Sequence, residues 1–181
     1  MGDITIRPAR MDEAEAIDAL IHRSVRALQA PDYTEAQREG ALGTVFGVDR
    51  QLIRDGSYLV AERHGRMVGC GGWSRRSAVF GGDALAGADN AEMRPGVDRA
   101  RIRAFFVEPD CARQGIGSLI MRTCEDAAAA YGFTELELVA TVTGEALYTR
   151  HGFAVLERFN TVLPNGQPLP VIRMWKKIPL A

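Results

Sequence analysis

Cysteine is scarce in this chain: Cys70, Cys111 and Cys124 are the only three among 181 residues. Their number is odd and their spacing matches no metal-ligand pattern, so a disulfide framework and a zinc site are both excluded, and free thiols in a reducing compartment are expected. No apolar run approaches the roughly 18–20 residues that cross a bilayer. The start, Met1-Gly2-Asp3-Ile4-Thr5-Ile6-Arg7, lacks a basic-then-apolar leader pattern and reads at once as structure. A cytoplasmic protein without a membrane partner is therefore expected. Charge of one sign is also missing, since 22 Lys+Arg face 23 Asp+Glu for a formal net charge of −1. Without a basic footprint, nucleic acid is not an expected partner. His22, His64 and His151 are scattered, and no Ser/His/Asp nucleophile motif accompanies them, so no metal is expected.

What remains is 46% hydrophobic and 25% charged, an ordinary globular composition, with a length suited to one domain over residues 1–181. Ile4-Thr5-Ile6-Arg7 alternates as a short strand. A helix follows, with Asp12 and Glu15 at capping-box spacing and Ala14, Ile17, Ile21, Val25 and Leu28 on one face. A second helix begins near Thr34, a short one spans Arg50–Arg54, and Ser57–Arg63 with Met67–Trp73 form a hairpin around His64-Gly65-Arg66. Residues 75–98 lose all periodicity and read as a long loop inserted into the domain. Strands are then expected at Ile102–Val107, Glu135–Thr141, Phe153–Val162 and Leu169–Lys176, with helices at Ile116–Tyr131 and Glu145–His151. The order implies an α/β fold on a sheet of mixed direction.

The most informative segment runs from Phe105 to Ile120, where a strand passes through a loop into a helix whose start carries Gly115 and Gly117. The first turn of a helix has unpaired N–H groups and a partial positive charge, so it favours an anion, and glycine lets a phosphate approach the backbone. Arg113 adds a charge-assisted contact. The segment has no Gly-Lys-Ser/Thr, and Ile120 fills the slot of a third dinucleotide-binding glycine. On the glycines alone, a pair that only shapes a tight turn is an equal reading.

Arg113-Gln114-Gly115-Ile116-Gly117 resembles the acyl-CoA pyrophosphate loop of the GNAT superfamily of N-acetyltransferases, Gln/Arg-x-x-Gly-x-Gly/Ala, although Ala112 stands where the family has Gln or Arg. Ala146-Leu147-Tyr148-Thr149-Arg150-His151-Gly152-Phe153 is similar to the family's second block, ALYxxxGF. The element order also fits over nearly the whole chain. The resemblance implies a mixed, mostly antiparallel sheet with helices on both faces and two splayed parallel central strands. It implies acetyl-CoA as co-substrate, its pantetheine arm against the backbone of Phe106 and Val107 and its pyrophosphate on Arg113, Gln114, Gly115, Ile116, Gly117 and Ser118. It also implies direct acetyl transfer to an amine of a small molecule or peptide. A homodimer is in keeping with the family. By the same resemblance Tyr148 protonates the leaving thiolate, the other reading being a packed aromatic that anchors its helix.

Glu108 is the candidate base or a support for the loop before Pro109, and Glu137 is a weaker candidate. Arg101 and Arg103 share a strand face, where they either pair with Glu135 and Glu137 or recognise an acidic acceptor. Trp73, Arg75, Arg76 and Phe80 are candidates for an acceptor wall, Trp73 being otherwise a strand-end aromatic. The rival function is a catalytically idle acyl-CoA-binding or regulatory module.

Overall fold

The computed structural model describes residues 4–80 and 90–178. Seven strands form one sheet in the order β1-β2-β3-β4-β5-β7-β6. They are β1 Ile4–Pro8, β2 Tyr58–Arg63, β3 Arg66–Ser74, β4 Ala100–Val107, β5 Glu135–Thr141, β6 Ala154–Val162 and β7 Pro168–Lys177. Among the described residues five α-helices join them: α1 Ala14–Leu28, α2 Glu35–Ala41, α3 Arg50–Arg54, α4 Ile116–Tyr131 and α5 Glu145–Arg150. All strand pairs are antiparallel except β4 with β5. The expected mixed, mostly antiparallel α/β sheet is the observed one.

Each face of the sheet carries its own apolar cluster. Ile17, Leu20, Ile21 and Val25 of α1 pack with Phe46, Leu52, Tyr58 and Val171 on one side. Ile116, Ile120, Met121 and Cys124 of α4 pack with Leu136, Leu138, Ile172 and Met174 on the other. Each such side chain, fully buried, contributes roughly 1.5–3 kcal/mol relative to exposure.

Local chemistry sets the boundaries. Thr34 caps α2: its hydroxyl accepts from Gln37 N–H at 3.2 Å, and the Gln37 side chain accepts from Thr34 N–H at 2.9 Å. The expected Asp12–Glu15 capping box does not form. Residues Met11–Glu13 make a 3₁₀ turn instead, and the Glu13 carboxylate accepts from the Arg10 N–H at 2.9 Å while Arg7 grips it from β1. That long-range grip outweighs the local spacing. Gly40 lies inside α2 because the side-chain amide of Asn165, in the β6–β7 turn, occupies the place that a Cβ would take. The described ends of the 75–98 insert are zipped together by Arg76–Glu92 bridging and a Met93 N–H to Arg75 carbonyl bond of 2.7 Å.

Candidate active site

β4 and β5 pair at only two positions, Ala100 with Leu136 and Arg101 with Glu137. Beyond them the two parallel strands part, so the later backbone of β4 turns an edge toward an open wedge. On its other edge β4 stays bonded to β3, through a bulge that sets Ala104 and Phe105 against Gly71. Ala104 there has φ +59°, a left-handed conformation that costs an L-residue about 1 kcal/mol. The wedge reaches Val107, whose N–H points at the Ser24 hydroxyl of α1 across a long 3.4 Å. Phe106 is buried and packs edge-on against Phe46, with ring centroids 6.0 Å apart.

The wedge ends at the start of α4. Gly115 stands before the helix with φ +83°, which glycine adopts without a Cβ clash. No acceptor among the described residues takes the N–H groups of Ile116, Gly117 and Ser118, the donors that an α-helix leaves unpaired in its first turn. Gly115 and Gly117 thus have separate jobs. A Cβ on Gly115 meets nothing within 4 Å, whereas one on Gly117 would lie 3.1 Å from Leu147 of α5. Gly117 lets α5 dock on the helix start, which brings the two sequence blocks together.

Two glycines of β3 complete this arrangement, and sequence reading passed over them. A Cβ on Gly69 would sit 2.8 Å from Ile116, and one on Gly71 would sit 2.7 Å from Phe105. The signal was present as Gly69-Cys70-Gly71-Gly72 inside a strand, a run that marks close approach of another element. Ile116 is buried, its side chain packed over Gly69.

Tyr148 projects from α5 between Phe105 and Phe153, at ring distances of 6.3 and 6.0 Å. Burial disfavours its phenolate and pushes its pKa up, so the ring carries its proton at neutral pH. No hydrogen bond to another described residue engages its hydroxyl. At the far end of α5, Lys176 donates to the His151 carbonyl at 2.8 Å and to Glu125 of α4 at 2.9 Å, fixing this short helix against its neighbour.

Glu108, the candidate base, is engaged by α1. It is 3% exposed and both its oxygens accept from Arg23 of α1, with Arg66 a further 3.8 Å away. These bonds tie the strand end before the loop to α1.

The arginines of β4 divide. Arg101 bonds Glu137, which also receives Arg99 at 3.0 Å. Arg103 reaches neither Glu135 nor Glu137. It is buried on the α1 side with Asp49 at 3.3 Å, and its Nη1 donates to the Ala78 and Phe80 carbonyls at 3.2 and 3.4 Å. The Nε and Nη2 atoms of Arg103 have no hydrogen-bond partner. Trp73 sits near the end of β3. It packs with Tyr131 and Phe133 on the α4 side, 5.6 and 6.2 Å between ring centroids, opposite Ile102 at the paired end of β4. Arg76 is taken by Asp55 at 2.8 Å and Arg75 by Glu92 at 3.0 Å. No group of His, Cys, Asp or Glu suited to a metal occurs among the described residues.

The sequence profile of the acetyltransferase (GNAT) family matches residues 22–153, from α1 through the end of the α5 block. The chain belongs to this family. No curated protein matches it by sequence. Among solved structures, a GCN5-related N-acetyltransferase from Rhodopseudomonas palustris is similar over 98% of this chain and 97% of its own, at 21% identity and a TM-score of 0.73. The PaiA N-acetyltransferase of Thermoplasma acidophilum, solved in complex with coenzyme A, covers 97% and 99% of the two chains at 15% identity and a TM-score of 0.64. A ribosomal-protein-alanine N-acetyltransferase from Brucella melitensis covers 96% and 99% at 19% identity and a TM-score of 0.62. At these identities the likeness is one of fold. The matched residues include β4, β5, the start of α4 and α5.

Proposed function

We propose that this GNAT protein transfers an acetyl group from acetyl-CoA directly to the amine of a small molecule or peptide. The observation that carries the reading is the continuity of one wedge. Parted strands offer backbone along Phe106 and Val107, the unpaired N–H groups of Ile116, Gly117 and Ser118 close its end, and Tyr148 stands beside it on α5. These residues suit a donor with an amide-rich arm and a pyrophosphate, because they supply backbone donors and acceptors and an anion-favouring helix start. Arg113 and Gln114 flank that start. The bound donor supplies an activated acyl carbon and a thiolate leaving group.

The protein's part is orientation and proton handling. Tyr148, kept neutral by burial, gives its proton to the sulfur as the thioester C–S bond breaks and the new C–N bond forms. Such general-acid assistance is worth about 10²–10⁴-fold. The amine must arrive neutral. For a lysine-like amine of pKa near 10.4 that costs roughly 4–5 kcal/mol at pH 7, at about 1.36 kcal/mol per unit. Because Glu108 is clamped by Arg23, the reading sends the amine's proton to water, and solvent returns one to Tyr148. On the acceptor side, Arg103 is the cation nearest the wedge, buried against Asp49 with its Nε and Nη2 making no hydrogen bond, and Trp73 packs against Phe133.

The test is release of CoA thiol from acetyl-CoA over a panel of amines, matched to N-acetylated product by mass spectrometry. Equal amounts of thiol and product support the transfer. Binding of CoA with no transfer to any amine would instead establish the idle binding module.

A further inference from the structure

The loop at the start of α4 carries more positive charge than a pyrophosphate uses. Four guanidinium groups surround it: Arg23 from α1, Arg63 and Arg66 from the β2–β3 hairpin, and Arg113 from the loop itself. Two are neutralised, because Arg23 bonds Glu108 and Arg66 makes a two-pronged pair with Asp110 at 2.7 and 3.1 Å. The other two are not. Arg63 donates to the neutral amide oxygen of Gln114 at 2.7 Å, its Nε has no hydrogen-bond partner, and it forms no ion pair among the described residues. Arg113 is exposed, has no carboxylate partner among the described residues, and holds φ +60°, where Gly or Asn would carry less strain. Gln114 is itself fixed, donating to the Asp110 carbonyl at 3.2 Å, so Arg63 is held next to the loop.

We propose that Arg63 and Arg113 form a phosphate-monoester subsite that takes the 3′-phosphate at the nucleotide end of the donor. The inference rests on the reading of this protein as CoA-dependent. Charge matching favours the monoester: a phosphate of this type carries about −1.5 to −2 at neutral pH, which two unneutralised guanidiniums balance. The pyrophosphate, in contrast, already has the backbone donors of the helix start. The chain also lacks the basic or amide side chain at Ala112 that its resemblance to the family would supply. Arg63, reaching in from a neighbouring hairpin, sets a cation beside Gln114 of the same loop.

The test is calorimetric titration of the full chain with CoA and with dephospho-CoA, which lacks only the 3′-phosphate. CoA is expected to bind at least about 10-fold more tightly, as charge-assisted contacts to a dianion imply. Arg63→Gln should cut that ratio severalfold with dephospho-CoA affinity unchanged, Arg113→Gln should cut the ratio severalfold as well, and Arg63→Lys should restore part of it. Arg113 is exposed and makes no ion pair with another described residue, so its variant reports on the subsite even where Arg63→Gln disturbs the hairpin. Equal affinity for the two ligands in the wild type, or a ratio that survives in both Gln variants, overturns the subsite and leaves CoA binding intact. Failure of both ligands to bind overturns the CoA-dependent reading, and the subsite with it.

Discussion

At the scale of single residues the two informative substitutions separate chemistry from binding. Tyr148→Phe deletes one hydroxyl and keeps the ring contacts with Phe105 and Phe153. With the amine acceptor in hand, kcat should fall about 10-fold or more while KM for acetyl-CoA and the melting temperature stay within error. The loss should shrink with acyl donors whose leaving thiol is more acidic. An unchanged kcat where chemistry limits turnover would return Tyr148 to its other role, an aromatic anchor for α5. Gly115→Ala places a side chain at φ +83° with open space around it, so the cost is backbone strain of about 1–2 kcal/mol and not a clash. Urea unfolding should show that loss. Gly117→Val acts differently, by pushing Leu147 and α5 away, and its effect on donor binding should come with displaced α5 packing visible in near-ultraviolet circular dichroism.

At the scale of elements, long periodic segments were legible and long-range constraints were not. The bounds of α3, α4 and β5 are the ones that capping glycines and apolar spacing imply, because those signals are local. Local spacing is silent where a distant partner decides: Glu13 answers to Arg7 of β1, Arg103 to Asp49 before α3, and Trp73 to Tyr131 at the end of α4 and Phe133 beyond it. The glycines of β3 were legible in principle, but what they accommodate, Ile116 and Phe105, is visible only in three dimensions. Tyr33 shows how one loop residue ties elements together. Its hydroxyl donates to the Pro170 carbonyl of β7 at 2.6 Å and accepts the Val142 N–H just after β5 at 2.9 Å. Tyr33→Phe leaves both backbone groups unpaired, so a loss of about 2 kcal/mol in denaturant stability is expected, within the roughly 1–3 kcal/mol cost of an orphaned buried group.

At the scale of the whole molecule, two titrations bracket the stable range. Arg7 holds the Glu13 carboxyl down to about 2 from an ordinary 4.5, chiefly by hydrogen bonding, so the stability it lends is complete above pH 4.5 and disappears as pH falls through 2. Burial pushes the Tyr33 hydroxyl up to about 12 from 10, so its contribution is complete below pH 10 and disappears as pH rises through 12. Melting temperatures followed with pH should show both limbs, the acid one flattened by Glu13→Gln and the alkaline one by Tyr33→Phe. The central claim, that the wedge between β4 and β5 and the start of α4 hold a CoA donor, is tested most directly by the melting temperature with and without ligand. Binding to the folded state alone adds about 2.7 kcal/mol at a ligand concentration 100 times Kd, which for a chain of this size raises Tm by roughly 5–10 °C. The account predicts that rise with CoA or acetyl-CoA and none with ATP at the same concentration; a rise with ATP and none with CoA would contradict it.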